Sequence, residues 1–216
     1  MLTFDGAPGP GRTAIDRAMH ELFAIEQASL GVRFAGGTDR AIARALLRRA
    51  GLADDTESIG RVLDVYLRHL AAVLSERRYR PIGAVAEAVA ACKARGAVVG
   101  VATGNVRAGA QIKLSSAGLG AVFDLDRGGF GCDAEARPDI LRVAIERACG
   151  AASAASARAS DVVVVGDTEH DVRAARAVGA RVVGVATTAE ARAELEAAGA
   201  DAIVGECGDD LVRAIG

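Results

Sequence analysis

From residue 12 to about residue 78, apolar positions recur at helical spacing three times over, with no strand pattern between them. Ile15, Met19, Leu22 and Phe23 predict a helix over Arg12 to about Gln27. Ile42, Ala45, Leu46 and Leu47 predict a second, opened by Thr38 or Asp39 as N-cap and closed at Gly51. The third begins near Thr56 and runs through Ile59, Val62, Leu63, Tyr66, Leu67, Leu70 and Val73 to about Arg78. Three successive helices make an all-helical block. Ahead of it, MLTFD reads as a short strand ending in Asp5, and GAPGPG (Gly6 to Gly11) forces a turn.

After Pro81 the texture changes to strand and helix in alternation. Ala84 to Arg95 reads as a helix with Gly96 past its end, and AVVGVATGN (Ala97 to Asn105) as a buried strand ending in Thr103. A helix over Val106 to Ala117, a short strand at Val122 to Leu125 and a helix over Pro138 to Cys149 follow. Ala151 to Ser160 is a connector of small residues. Then comes DVVVVGDTEHD, Asp161 to Asp171. Four consecutive valines, Val162 to Val165, are the signature of a strand covered on both faces. A helix starts at Glu169 with Gly179 at its C-terminal cap, and a strand follows at Arg181 to Thr187. The chain closes with a helix at Ala189 to Ala198, a strand at Asp201 to Val204 and a last helix. The expected fold class is α/β, a doubly wound parallel sheet with an inserted all-helical cap. Residues 1–11 and 79–216 would form the core and residues 12–78 the cap.

Composition narrows the partners. Of 216 residues 51% are apolar but only 3% aromatic, so Ala, Val, Leu and Ile must build the core. A net charge of −2 gives no electrostatic case for nucleic acid or an anionic membrane. The four cysteines show neither paired spacing nor a nearby histidine cluster, which fits reduced thiols in a cytoplasm and argues against zinc. No run is long enough to span a membrane, and the first residues lack the form of a signal peptide. The expectation is a cytoplasmic protein, monomer or homodimer. The only lysines are Lys93 and Lys113.

Chemistry-bearing residues cluster at predicted strand ends. Asp167 lies just past the valine strand and Asp171 in the first turn of the next helix, facing the crevice where open α/β sheets bind ligands. Two such carboxylates suit Mg²⁺; a single one would be explained by the helix dipole alone. Thr103, with Gly104 and Asn105, ends a strand directly before a helix, where a hydroxyl and free backbone N–H groups cradle phosphate. Lys113, on the next helix, reaches toward the same crevice, and Asp5 ends the first strand. Of His20, His69 and His170, only His170 lies near this presumed site. A carboxylate nucleophile, a hydroxyl with amides, a cation and an acidic pair are what phosphoryl transfer through an aspartyl-phosphate requires.

Taken in this order, the residues resemble the haloacid dehalogenase superfamily, mostly phosphatases, over nearly the whole chain. VVVVGDTEHD is similar to its fourth motif and VGVATGN to its second. The resemblance implies an Mg²⁺-dependent phosphatase of a small phosphorylated metabolite. Asp167 and Asp171 would serve the metal, and Thr103, Gly104 and Asn105 the phosphoryl group. The cation of the third motif is Lys113, the favoured candidate, or Arg137, which with Pro138 stands where that family often has Lys–Pro. The first motif departs from the pattern: in place of Asp-x-Asp-Gly-Thr the chain has Asp5-Gly6-Ala7-Pro8-Gly9. On that alignment Asp5 is the nucleophile and a metal ligand, with no proton donor at position 7. A second alignment sets GPGRTAID on the first cap helix, so that Met1 takes the place of the second aspartate and the motif lies upstream.

Two readings follow: a phosphatase, or a catalytically impaired relative that binds phosphate or a phosphometabolite. Phosphonoacetaldehyde hydrolases share Asp-x-Ala but need a cap lysine, and residues 12–78 contain none. A nucleotide-binding Rossmann domain is disfavoured by the absence of G-x-G-x-x-G after any strand. In the cap, GGTDR (Gly36 to Arg40) is the stretch singled out for substrate, with Thr38 read as a helix cap.

Overall fold

The structure is a computed structural model and describes residues 1–34, 36–150 and 161–216; the connector Ala151 to Ser160 lies outside the described residues. The helical block is formed by α1 (Pro10–Phe23), α2 (Asp39–Arg49) and α3 (Thr56–Glu76). Pro10 sits in the first turn of α1, where its missing N–H costs nothing. The hydroxyl of Thr38 accepts from Ala41 N–H to cap α2, and Asp55 caps α3 from Ser58 N–H. Apolar faces of the three helices meet in one cluster that includes Ile15, Met19, Leu46, Leu47, Ile59 and Leu70, all essentially buried. Each such side chain contributes about 1.5–3 kcal/mol by leaving water.

The remaining elements are β1 (Leu2–Thr3), β2 (Arg80–Pro81), α4 (Val85–Ala94), β3 (Ala102–Thr103), α5 (Arg107–Ser116), β4 (Gly129–Phe130) and α6 (Arg137–Cys149). They continue with β5 (Val163–Gly166), α7 (Glu169–Ala177), β6 (Arg181–Val185), α8 (Ala189–Ala198), β7 (Ala202–Val204) and α9 (Asp209–Ile215). Val122 to Leu125, which reads as a strand, is a turn leading into a 3₁₀ turn at Leu125–Arg127, and the strand forms later, as β4. Parallel pairing joins β5, β6 and β7 in that order, and separately joins β3 to β4. The fold is α/β, with parallel strands and helical layers.

Two strand expectations are corrected. The first strand does not join the parallel strands: β1 runs antiparallel to β2, with Leu2 opposite Pro81 and Thr3 opposite Arg80. The stretch Ala97 to Asn105 extends into a ladder only at Ala102 and Thr103, where β4 supplies a partner. Val98 is 52% exposed. The valines of β5 are half-buried, whereas Val182 and Val183 of β6 are fully covered. The difference is one of neighbours: among the described residues β6 pairs along both edges, β5 only with β6, and β3 only with β4.

This difference has a measurable outcome. Amide hydrogen exchange at Val182–Val185 should approach the rate set by global unfolding. Exchange at Val98–Val101 should be faster by at least about 100-fold, because few hydrogen bonds have to open there.

Candidate active site

The carboxyl ends of β3 and β4 lie side by side. β3 ends at Thr103, whose hydroxyl accepts from the side-chain amide of Asn105 at 2.7 Å and from its backbone N–H at 3.3 Å. Asn105 Oδ1 in turn accepts from the Lys113 ammonium, one helical turn and a half into α5. β4 closes the same end, with Gly131 N–H donating to Asn105 O at 2.8 Å. Burial pulls the Lys113 pKa down, and the charge of Asp39 partly restores it. Burial likewise raises the pKa of Asp39, against the pull of Lys113.

Asp39 belongs to the helical block, and it fastens that block to the core. Its backbone N–H donates to Gly104 O at 2.8 Å, and its Oδ2 accepts from Val106 N–H, also at 2.8 Å. Val106 is the N-cap position of α5 and has no cap of its own, so a cap-domain carboxylate serves there. Gly104 has to be glycine for this approach: a Cβ would stand 2.7 Å from Gly37 O and 3.2 Å from Thr38 Cα. The cap stretch Gly37–Asp39 therefore lies directly on Thr103–Asn105.

At the end of β5, Gly166 also allows a close approach, since a Cβ there would overlap the Asp171 side chain. Asp171 folds back over the strand end. Its Oδ2 accepts from the Thr168 hydroxyl at 2.9 Å, Thr168 N–H at 3.2 Å and Asp167 N–H at 3.3 Å. Its Oδ1 accepts from Arg137 Nη1 at 2.8 Å. Both oxygens of Asp171 are thus engaged, and it fixes the turn that carries Asp167. Arg137 also donates from Nε to Gly36 O at 3.4 Å, a second link between core and cap. The His170 ring packs against Gly36. His170 Nε2 and Arg40 Nε are buried without a hydrogen-bond partner among the described residues.

Asp167 is half-buried and forms an ion pair with the amino group of Met1. A cation at this carboxylate is compatible with Mg²⁺, which needs one or two carboxylates and completes its shell with water and phosphate oxygens. The donor set fits in part: Asp167 offers oxygens, Asp171 is committed to Arg137 and the turn. Among the described residues, three His, Cys, Asp or Glu side chains do not gather as a ready-made metal cluster.

The site residues expected from sequence separate into two groups. Thr103, Gly104, Asn105 and Lys113 come together at β3, and Asp167, Asp171 and Arg137 at β5. Asp5 joins neither. Its carboxylate is 78% exposed and pairs with Arg80 at 2.6 Å, while its carbonyl accepts from Arg77 at 2.9 Å. With β1 paired antiparallel to β2, Asp5 follows a strand outside the parallel ladders and stands apart from both groups. Asp39 was legible only as a cap candidate in GGTDR; its reach into the core depends on contacts 67 positions apart.

A capped α/β protein with its polar side chains gathered at strand carboxyl ends has its site where such sheets bind ligands. The chain belongs to the haloacid dehalogenase-like hydrolase family, whose model matches residues 12–179. Over 120 residues, 56% of this chain, it is 35% identical to "Probable phosphatase IndB" of Dickeya dadantii (strain 3937). That match spans only half of the relative's length. Among solved structures, a hydrolase from Pseudomonas syringae superposes with a TM-score of 0.66 at 20% identity, covering 94% of this chain and 89% of that one. CbbY from Rhodobacter sphaeroides, solved in complex with phosphate, gives 0.68 at 18% identity over 93% and 88% of the two chains. These superpositions show the fold, and the family model makes the chain a haloacid dehalogenase-like hydrolase.

Asp39 offers a direct check on how cap and core are joined. Asp39→Ala removes the acceptor for Val106 N–H and the charge facing Lys113, and should cost about 2–4 kcal/mol in urea denaturation. Asp39→Asn keeps an acceptor and should lose less.

Proposed function

We propose that this site is the phosphoryl- and Mg²⁺-binding part of a phosphatase that acts on a small phosphorylated metabolite through an aspartyl-phosphate. The reading rests on one observation, that the helical block bonds both to the Thr103–Asn105–Lys113 network, through Asp39, and to the Asp171 turn that carries Asp167, through Gly36 and Arg137. In this reading the Thr103 hydroxyl and the amides at Gly104 and Asn105 hold the phosphoryl oxygens, and the Lys113 ammonium offsets their charge. Asn105 orients Lys113, and Asp171 holds the Asp167 turn in place. Asp167 would hold Mg²⁺, which when bound neutralises charge on the phosphoryl oxygens and clamps them in position. Arg40 of the helical block and His170 of α7, each with a buried nitrogen that makes no hydrogen bond among the described residues, would face the remainder of the substrate. The chemistry needs a carboxylate whose oxygen attacks phosphorus as the ester P–O bond breaks; water then cleaves the acyl phosphate.

A second reading, that residues 1–216 bind a phosphorylated metabolite without turning it over, is favoured by the position of Asp5. Its carboxylate lies out with Arg80, and Ala7 has no proton to transfer. Loss of an acid/base group alone costs typically ~10²–10⁴-fold in rate.

Two measurements on the same protein decide between the readings: phosphate release from an aryl phosphate, and calorimetric titration with inorganic phosphate, each with Mg²⁺ and with EDTA. Mg²⁺-dependent release that is lost in Asp167→Asn is expected of the phosphatase, and its loss in Asp5→Asn as well would restore Asp5 as nucleophile. Mg²⁺-dependent phosphate binding without release, weakened at least about tenfold by Lys113→Met, is expected of the second reading. Neither binding nor release would remove both.

A further inference from the structure

A cavity of about 590 Å³ lies between β3 and β5. It runs the length of both strands, from Ala97, Val98, Asp161 and Val162 at one end to Thr103 and Asp171 at the other. Met1 and Leu2 also line it. One wall is the row from Val98 to Thr103 and the other the row from Val162 to Val165. Neither row pairs with a strand on the cavity side among the described residues. Two strand edges without a strand partner among the described residues thus face one apolar space. Helices cover it above and below: Val85 and Leu211 belong to α4 and α9, Ile140 and Ala144 to α6.

We propose that this cavity is a receptor for one extended strand of polypeptide, supplied from outside residues 1–216 and inserted between β3 and β5. Three features of the space fix the chemistry of the occupant. Facing strand edges without a strand partner call for a backbone with hydrogen bonds on both sides, which an extended strand has and an apolar small molecule lacks. Helices on both faces exclude an alternating strand and require a continuous apolar run, as in parallel sheets buried on two sides. Walls of six residues on one side and four on the other set the length at about four to six residues, or ~13–20 Å. Both walls run with their carboxyl ends toward Thr103 and Gly166, so an occupant parallel to them extends the pairing already present in β3–β4 and β5–β6–β7. Insertion would join the two parallel ladders into one six-stranded sheet, β4-β3-inserted strand-β5-β6-β7. The inference stands on packing and backbone pairing alone and holds whether or not the site hydrolyses phosphate.

The test uses the 216-residue chain with a synthetic N-acetylated peptide of six Val and Ile residues, carrying lysines at its amino end for solubility. A second peptide of the same composition has one central residue replaced by proline, which removes a donor and disrupts the strand. A third arm joins the first sequence to Met1 through a short Gly–Ser linker, raising its effective concentration to the millimolar range. Amide exchange at Val98–Thr103 and Val162–Gly166 should slow at least tenfold with the strand peptide or the fusion, and not with the proline peptide. Equal protection by the proline peptide would show that the cavity takes apolar mass rather than a strand. Protection that appears only with self-association of the chain would make a second copy the occupant. No protection in either the added or the fused form would overturn the proposal outright.

Discussion

A strand in a parallel sheet needs hydrogen-bond partners along two edges and apolar cover on two faces. Among the described residues β5 and β3 have the faces and only one paired edge each. Much of the core's character follows from that shortfall. β6, paired on both sides, buries its valines completely, while the four-valine run beside it remains half-covered. The stretch before Thr103 fails to become a ladder over most of its length although its residues favour one. Intrinsic preference proposes a strand, and the partner decides how much of it forms.

The polar site survives this division because it is assembled by turns and helix starts. Thr103, Asn105 and Lys113 belong to one short strand–helix unit, and Asp167 and Asp171 to another. The cap ties the two together. Asp39 bonds the backbone on both sides of Asn105, and Gly36 accepts from Arg137, which holds Asp171. Two glycines, 104 and 166, make the approaches possible, and each would be obstructed by a single added carbon.

The helical positions were almost fully legible from the chain, because a 3.6-residue period is a local property. The helix at Ala189–Ala198 is found where the pattern puts it, and Thr38 caps α2 as its hydroxyl next to an acidic first turn implies. The strands were legible as apolar runs and illegible as a sheet. Nothing in MLTFD says that its partner is Arg80–Pro81, and that one antiparallel pairing carries Asp5 away from the other site residues. The cluster at β3 could be read because Thr103, Gly104, Asn105 and Lys113 lie close in sequence. The part played by Asp39 could not, since a carboxylate that caps its own helix and one that caps a distant helix look the same in a string of letters. Asp171, four positions from Asp167, reads as a second metal ligand, and the contacts its oxygens make with Thr168, Asp167 N–H and Arg137 are not legible in that spacing.

Asp39 also couples charge to mechanical state. It is the negative group that Lys113 faces, and it is the clasp on Val106. An anion arriving at Lys113 repels Asp39, so either the carboxylate swings away and releases the clasp, or it takes up a proton and keeps only a weaker neutral bond. In both cases occupancy of the pocket is converted into slack at the seam between the helical block and the strands. The molecule would thus hold its cap most tightly when empty, and loosen it from within as a negatively charged guest settles.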